Sequence, residues 1–304
     1  MRWRIATTVL VFVLLTALLP AGAVATGEGN DDFEPVYLSL GTSLAAGSQA
    51  DEDGFTTFSS QSSYTDQLYQ RIKGRFGAKM THAKLGCPGE TTDTMTGGVN
   101  FFGDPSQCVD LYATGTQLGD ALAAVQTEDV VLITIDMGAN DILQAQLECG
   151  VDLNCFSAEI ATIAGKVVQI VRTLRAGGYE GPILAMNYYN PQVAAAIGFF
   201  SGIPGQQTPD PVLAQLSDQL LIGFNGALAQ VYGLFDVEVV DIYGRFNSGD
   251  FGDDQPPNGI PDNVDVVCDL TSMCPDDPTV RPNIHLNTKG YRVVAKAFLA
   301  SLSG

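Results

Sequence analysis

Two groups in this 304-residue chain suit nucleophilic catalysis, and each stands beside a strand-like or helix-like run. Ser43 follows Val36-Tyr37-Leu38-Ser39-Leu40-Gly41, whose β-branched, aromatic and aliphatic residues read as a buried strand ended by glycine. His285 is one of only two histidines and stands in Asn283-Ile284-His285-Leu286-Asn287, read here as a loop ahead of the last helix. Histidine is the usual general base near neutral pH, so the field of candidates is small. The other histidine, His82, falls inside a predicted second strand, a structural position. A serine hydroxyl served by an imidazole is the machinery of acyl transfer. Such a reaction also needs donors for the developing oxyanion. Asn140, in Met137-Gly138-Ala139-Asn140-Asp141 after the strongest predicted strand, offers a neutral amide, a contact that lowers such a barrier by roughly 3 kcal/mol. Its plainer role is helix capping by Asn140 or Asp141. Gly89, in Cys87-Pro88-Gly89-Glu90-Thr91-Thr92, offers a backbone N–H and, lacking a side chain, lets substrate approach. Its plainer role is a turn bounded by a disulfide.

The elements that must position these residues alternate along the chain. Val36 to Leu40 reads as the first strand, Tyr64 to Phe76 as a helix with Leu68, Tyr69 and Ile72 at helical spacing, and Lys79 to Leu85 as the second strand. Gly86 to Cys108 is long and rich in Gly, Thr and Asp, a functional loop. Leu118 to Val125 reads as a helix and Val130 to Asp136 as a buried strand. Phe156 to Ala176 is an amphipathic helix stopped by Gly177-Gly178. Pro182 to Asn187 and Glu238 to Ile242 give two more strands, Pro211 to Tyr232 and Thr288 to Leu302 two more helices. An acidic loop is expected over 247–283. Strands alternating with helices imply an α/β fold, a parallel sheet with helices on both faces. Ligands then lie beyond the carboxyl ends of the strands, where Ser43, Gly89 and Asn140 all fall. No linker or repeat divides residues 26–304, which are expected to form one domain.

Charge and leader narrow the setting. Arg2 and Arg4 precede an apolar run from Ile5 to Leu19, then Pro20 and Ala23-Val24-Ala25, the pattern of a signal peptide cleaved after Ala25. The run is shorter than the ~20 residues a spanning helix needs, so an exported, soluble monomer without a membrane span is expected. Removing residues 1–25 takes away two arginines and no acid, moving the net charge from −19 to −21. A surface this acidic repels nucleic acid and anionic membranes. Six cysteines in an exported chain read as disulfides. Cys149 with Cys155 and Cys268 with Cys274 are close pairs of equal separation, and Cys87 is left to pair with Cys108, one of the 15 connectivities six cysteines allow. With no Cys-x-x-Cys and two histidines, zinc is rejected, and no metal or cofactor is expected. Asp250, Asp253, Asp254, Asp262 and Asp265 are ligands of the type calcium prefers, but their spacing is not an EF-hand and a solvated loop is preferred. The apolar stretch 193–205 is read as packed on the core, with a flank of an acyl pocket as the alternative.

In their order along the chain, four blocks resemble the SGNH hydrolases, also called the GDSL esterase/lipase family. Gly41-Thr42-Ser43-Leu44 matches its first block, Gly89 its glycine block, Gly138-Ala139-Asn140-Asp141 its Gly-x-Asn-Asp block, and His285 with Asn287, Gly290 and Tyr291 its histidine block. The resemblance implies a three-layer, flavodoxin-like five-stranded parallel sheet. It also implies Ser43 as nucleophile, His285 as base, and an oxyanion hole of the Ser43 and Gly89 N–H groups with the Asn140 amide. The implied activity is hydrolysis of small-molecule or lipid carboxylic esters without a cofactor. A carbohydrate acetylesterase, or a binding protein that kept the fold, is the alternative. The sequence departs from the family twice. Thr42 replaces an aspartate beside the serine, and Pro282 occupies the place of the acid three residues before the histidine. The Nδ1–H of His285 is therefore expected to bond a main-chain carbonyl, or else Asp276 or Asp277 folding back.

Overall fold

Val36 to Leu40 are all buried, as a β-branched and aromatic run covered on both faces must be. The computed structural model describes residues 34–77, 79–150, 152–253 and 258–303. The expected signal peptide (1–25), most of the acidic leader behind it and Asp254 lie outside the described residues. The first strand, β1 (Pro35–Gly41), pairs in parallel with β2 (Thr81–Lys84) on one side and β3 (Asp129–Asp136) on the other. The strands β4 (Ile183–Met186) and β5 (Glu238–Val240) extend a five-stranded sheet of order β2-β1-β3-β4-β5, parallel throughout. The order reverses at β1, so the crevice beyond the carboxyl ends of β1 and β3 is the topological switch point.

Parallel neighbours require crossovers, and helices supply them. After the one-turn α1 (Ser43–Ala46), α2 (Tyr64–Phe76) starts in a capping box in which the Ser63 hydroxyl takes Asp66 N–H and the Asp66 carboxylate takes Ser63 N–H. Further along come α3 (Thr92–Met95), α4 (Gln117–Thr127), α5 (Ala139–Cys149) and α6 (Leu153–Ala176). The long α7 (Pro211–Gly233) opens with Pro at its first position and Asp210 as cap. It is followed by α8 (Ile242–Arg245) and α9 (Asp262–Leu270). A two-stranded antiparallel pair, β6 (Thr271–Ser272) with β7 (Asn283–Leu286), precedes the last helix, α10 (Thr288–Ser301). One layer has α10 packed on α2. The other has α6 packed on α4, α5 and α7, which gives the expected three-layer architecture. No described helix is long and apolar enough to cross a membrane.

Two expectations are corrected. The segment 247–283 is not a continuous loop. Its Asp, Pro and Asn content hides Val264, Val267 and Leu270, which recur at three-residue spacing and are buried along α9. Val264 and Val267 form a small second core with Val193, Ala194 and Met273, so the start of the stretch 193–205 is packed inside as expected, whereas residues 201–204, Ile203 among them, are exposed. His285 lies on β7, not in a loop, because Asn283–Leu286 finds β6 as a partner. The acidic side chains between them are taken up by the chain itself. Asp250 accepts from Gly252 N, Asp253 from Asn258 N and Gly259 N, and Asp265 from the Asn258 amide. Among the described residues no cluster of three His, Cys, Asp or Glu is placed to hold a metal.

The three disulfides join Cys87 to Cys108, Cys149 to Cys155 and Cys268 to Cys274. The first closes 21 residues of chain around the Gly89 turn. Loop-closure entropy for that length corresponds to ~3 kcal/mol. The double variant Cys87→Ser/Cys108→Ser should therefore be less stable by about 3 kcal/mol. Urea unfolding of variant and wild type measures this, and an unchanged midpoint would remove the disulfide from the account of how that loop is held.

Candidate active site

Gly41 ends β1 opposite Asp136, its register partner at the end of β3. The Gly41 backbone has φ +139°, and a Cβ there would stand 2.5 Å from Asp136 Oδ1, so glycine alone fits. The buried Asp136 carboxylate anchors the turn beyond Gly41. Its Oδ1 accepts from both the backbone N–H and the hydroxyl of Thr42 at 2.7 Å, and its Oδ2 from Tyr64 OH at 2.8 Å. Burial pushes Asp136 up to about 7, and the bonds from Thr42 and Tyr64 pull against that shift. With Thr42 in place of the family's aspartate, a carboxylate for this turn is supplied across the sheet by Asp136. Thr42 also caps α1, accepting from Leu44 N, so Ser43 stands at the first turn with its side chain free of the helix. Gln117 secures the other edge, taking Gly41 N–H at 2.6 Å and donating to Gly41 C=O at 3.0 Å.

Ser43 Oγ lies 2.8 Å from His285 Nε2, although 242 residues separate them. The far end of the chain reaches the serine because α10 packs on α2 and Tyr291 of α10 donates its hydroxyl to Ser48 C=O. On the other side of the ring, His285 Nδ1 is 2.7 Å from Asn283 Oδ1. Neither a main-chain carbonyl nor Asp276 or Asp277 occupies that place. The Asp277 carboxylate is exposed and accepts instead from Thr279 N and Thr279 Oγ1. Sequence reasoning missed Asn283 because it sought an acid at position 282 and treated the segment as a loop. The available signal was the two-residue period of a strand, which puts 283 and 285 on one face. Burial holds the His285 imidazole down at about 4, so the ring is neutral and able to accept a proton at neutral pH.

Asn140 stands in the first turn of α5, at the edge where Ser43 emerges from β1. Its Nδ2 donates to Glu90 C=O at 2.8 Å, which leaves the second N–H of the amide for another acceptor. Gly89, immediately before Glu90, is tied to the site through that bond and does not itself line the cleft. Glu90 is fully buried, accepting from Ser106 Oγ at 2.7 Å and Tyr112 OH at 3.2 Å, and burial raises its pKa. Ser43, Asn140 and His285 line one cleft. Its apolar wall comes from Ile142 and Leu143 of α5 and Leu220, Leu221 and Phe224 of α7, its polar part from Asn190 and Gln192.

A second serine–histidine pair tests this assignment. Ser39 Oγ is 2.9 Å from His82 Nε2, and His82 Nδ1 is 3.8 Å from Asp66 Oδ1. Ser39 is 0 % exposed, whereas Ser43 is 8 % exposed and faces the cleft. His82 stacks on Tyr37 with ring centroids 4.6 Å apart, the structural role expected of it. Access separates the two pairs; distance does not.

The pattern of the GDSL-like Lipase/Acylhydrolase family matches residues 39–293. Among solved structures, the lipase Lip_vut3 from a goat rumen metagenome superposes with a TM-score of 0.52 at 16% identity, over 88% of this chain and 96% of that chain. An extracellular lipase from Streptomyces rimosus gives 0.49 at 14% identity, over 86% and 99%. The acetyl xylan esterase AlAXEase gives 0.48 at 12% identity, over 88% and 99%. At 16% identity the first likeness speaks to the fold. No curated protein matches this chain.

With only two histidines, the titration of each ring can be followed separately by NMR. Burial holds both near 4, with Asp66 opposing the shift at His82. Their C2 protons should therefore stay at the neutral-imidazole position as pH falls through 6.5, moving only near pH 4. A midpoint near the ordinary 6.5 for His285 would mean that its ring is solvated, contrary to the packing described.

Proposed function

Because the chain belongs to the GDSL-like Lipase/Acylhydrolase family, we propose that it is a serine esterase cleaving carboxylic esters with apolar acyl groups. The observation that carries this reading is the 2.8 Å contact between Ser43 Oγ and His285 Nε2 at the head of an apolar cleft. As Ser43 Oγ bonds to the ester carbonyl carbon, its proton passes to His285 Nε2 and the carbonyl oxygen becomes an oxyanion. The free N–H of Asn140 and the backbone N–H of Ser43 serve that oxygen, while Gly89, outside the cleft lining, precedes the Glu90 carbonyl that holds the Asn140 amide. Collapse breaks the bond to the alcohol, which leaves with the proton from His285, and water then releases the acid by the same steps in reverse.

The wall of Ile142, Leu143, Leu220, Leu221 and Phe224 suits the acyl chain, since burying each methylene there contributes ~0.8 kcal/mol. Asn190 and Gln192 in the same cleft favour a second reading, a carbohydrate acetylesterase. Export is part of the proposal and rests on the leader pattern in residues 1–25 and on the three disulfides.

The test is Ser43→Ala assayed on a chain-length series of p-nitrophenyl esters and on acetylated polysaccharide. Hydrolysis should vanish with the fold intact, and the wild type should prefer acyl chains longer than acetyl. Wild-type turnover by the variant would end the serine mechanism, while a preference for acetylated polysaccharide would favour the second reading. Asn140→Ala should lower kcat by roughly 10²- to 10³-fold with a smaller change in KM, as for loss of one oxyanion donor. Equal loss in KM alone would assign Asn140 to ground-state binding.

A further inference from the structure

We propose that Asn283 is the positioning residue for His285, a neutral side-chain amide standing where an acid would otherwise orient the base. The inference rests on the esterase reading of Ser43 and His285 and deepens it. Asn283 is buried, and its amide is held from both ends. Its Nδ2 donates to Gly54 C=O at 3.0 Å and to Thr56 Oγ1 at 3.0 Å, which settles which end is nitrogen. Oδ1 is therefore the atom facing the histidine, accepting from His285 N–H at 2.9 Å and lying 2.7 Å from His285 Nδ1. An amide oxygen has no proton to give, so Nδ1 must carry the proton. The lone pair then sits on Nε2, 2.8 Å from the Ser43 hydroxyl, where a general base needs it. Thr56 Oγ1, at 3.4 Å from Nδ1, is the more distant partner.

The support is built into the backbone. Gly54 has φ +83°, and a Cβ there would lie 2.1 Å from Arg281 C=O, so the 51–57 loop reaches Asn283 only with glycine at this place. Arg281 N–H donates to Asp53 C=O at 3.1 Å, closing the loop against the chain that leads into β7.

Among the described residues no carboxylate takes over the role. In the 51–57 loop, Asp51 Oδ1 is occupied by Asp53 N–H and Phe55 N–H, and Asp53 and Glu52 lie on the exposed surface. The Arg281 guanidinium stacks on Phe55 at 4.9 Å. Asp136 is engaged by Thr42 and Tyr64. Tyr189 donates to Ile284 C=O, and Tyr291 to Ser48 C=O. The imidazolium formed during acyl transfer is thus met by a dipole and not by a negative charge.

Three measurements decide the proposal. A long-range ¹H–¹⁵N spectrum of the wild-type protein should show His285 as the Nδ1–H tautomer, and an Nε2–H tautomer would overturn it. Asn283→Ala should lower kcat on a p-nitrophenyl ester by ~10²-fold or more with KM little changed. Asn283→Asp puts an anion beside Nδ1 and should raise the acid limb of the kcat/KM profile by about 1–3 pH units. An unmoved limb in Asn283→Asp, or a wild-type kcat in folded Asn283→Ala, overturns the proposal. If Asn283→Ala does not fold, the tautomer and the aspartate variant decide. Ser43→Ala and His285→Ala keep the two readings apart. If both are inactive while Asn283→Ala is unimpaired, only the positioning role falls. If either retains wild-type turnover, the esterase reading falls first.

Discussion

The arrangement depends on one buried carboxylate. Asp136 closes β3 and receives three donated hydrogen bonds, two from Thr42 and one from Tyr64. Taking a carboxylate out of water costs several kcal/mol unless its oxygens are satisfied. Donors aimed at both oxygens offset that cost and hold the end of β1, the end of β3 and the start of α2 at one point. Removing any one donor leaves a buried acceptor short by ~1–3 kcal/mol, so the serine turn cannot drift without a penalty comparable to much of a domain's net stability. Gly41 is the geometric counterpart, since any side chain there would displace the carboxylate.

The proposed base is delivered by a different device. His285 comes from a short antiparallel pair outside the main sheet, and its strand packs on α10 and pairs with β6, which itself packs on α9. Asn287, just beyond, caps α10 by accepting from Lys289 N and Gly290 N, and its amide donates to Asp269 C=O at the end of α9. Residues 283–287 therefore form a strand, bond the end of α9 and start α10. Polar groups around the ring are neutral amides and hydroxyls, which orient without attracting counter-ions.

Much of this was legible in the residues. The buried strands were visible because a parallel sheet demands unbroken apolar runs, and Val130 to Asp136 could be little else. Helices α2, α6 and α10 carried a plain 3.6-residue period, and the small cysteine separations gave two of the three pairings. Ser43 and Asn140 were legible because each follows a strand at one sheet edge, and His285 because it is one of only two histidines. What stayed hidden depended on tertiary partners. The strand character of Asn283–Leu286 exists only because Thr271 and Ser272 lie beside it. The carboxylate serving Thr42 comes from 94 residues away, beyond any local pattern. The helix at 262–270 was masked by the polar residues spaced between its buried valines.

The arrangement of Ser39, His82 and Asp66 carries a lesson about templates. A search for three atoms at given separations would score it close to a hydrolase centre, yet its serine is fully buried and an aromatic ring is pressed flat on the imidazole. Here β2 and α2 have turned a catalytic-looking trio into mortar between layers. An aperture, more than a constellation, sets the two serines apart: Ser39 is sealed within β1, while Ser43, just beyond Gly41, opens onto the cleft.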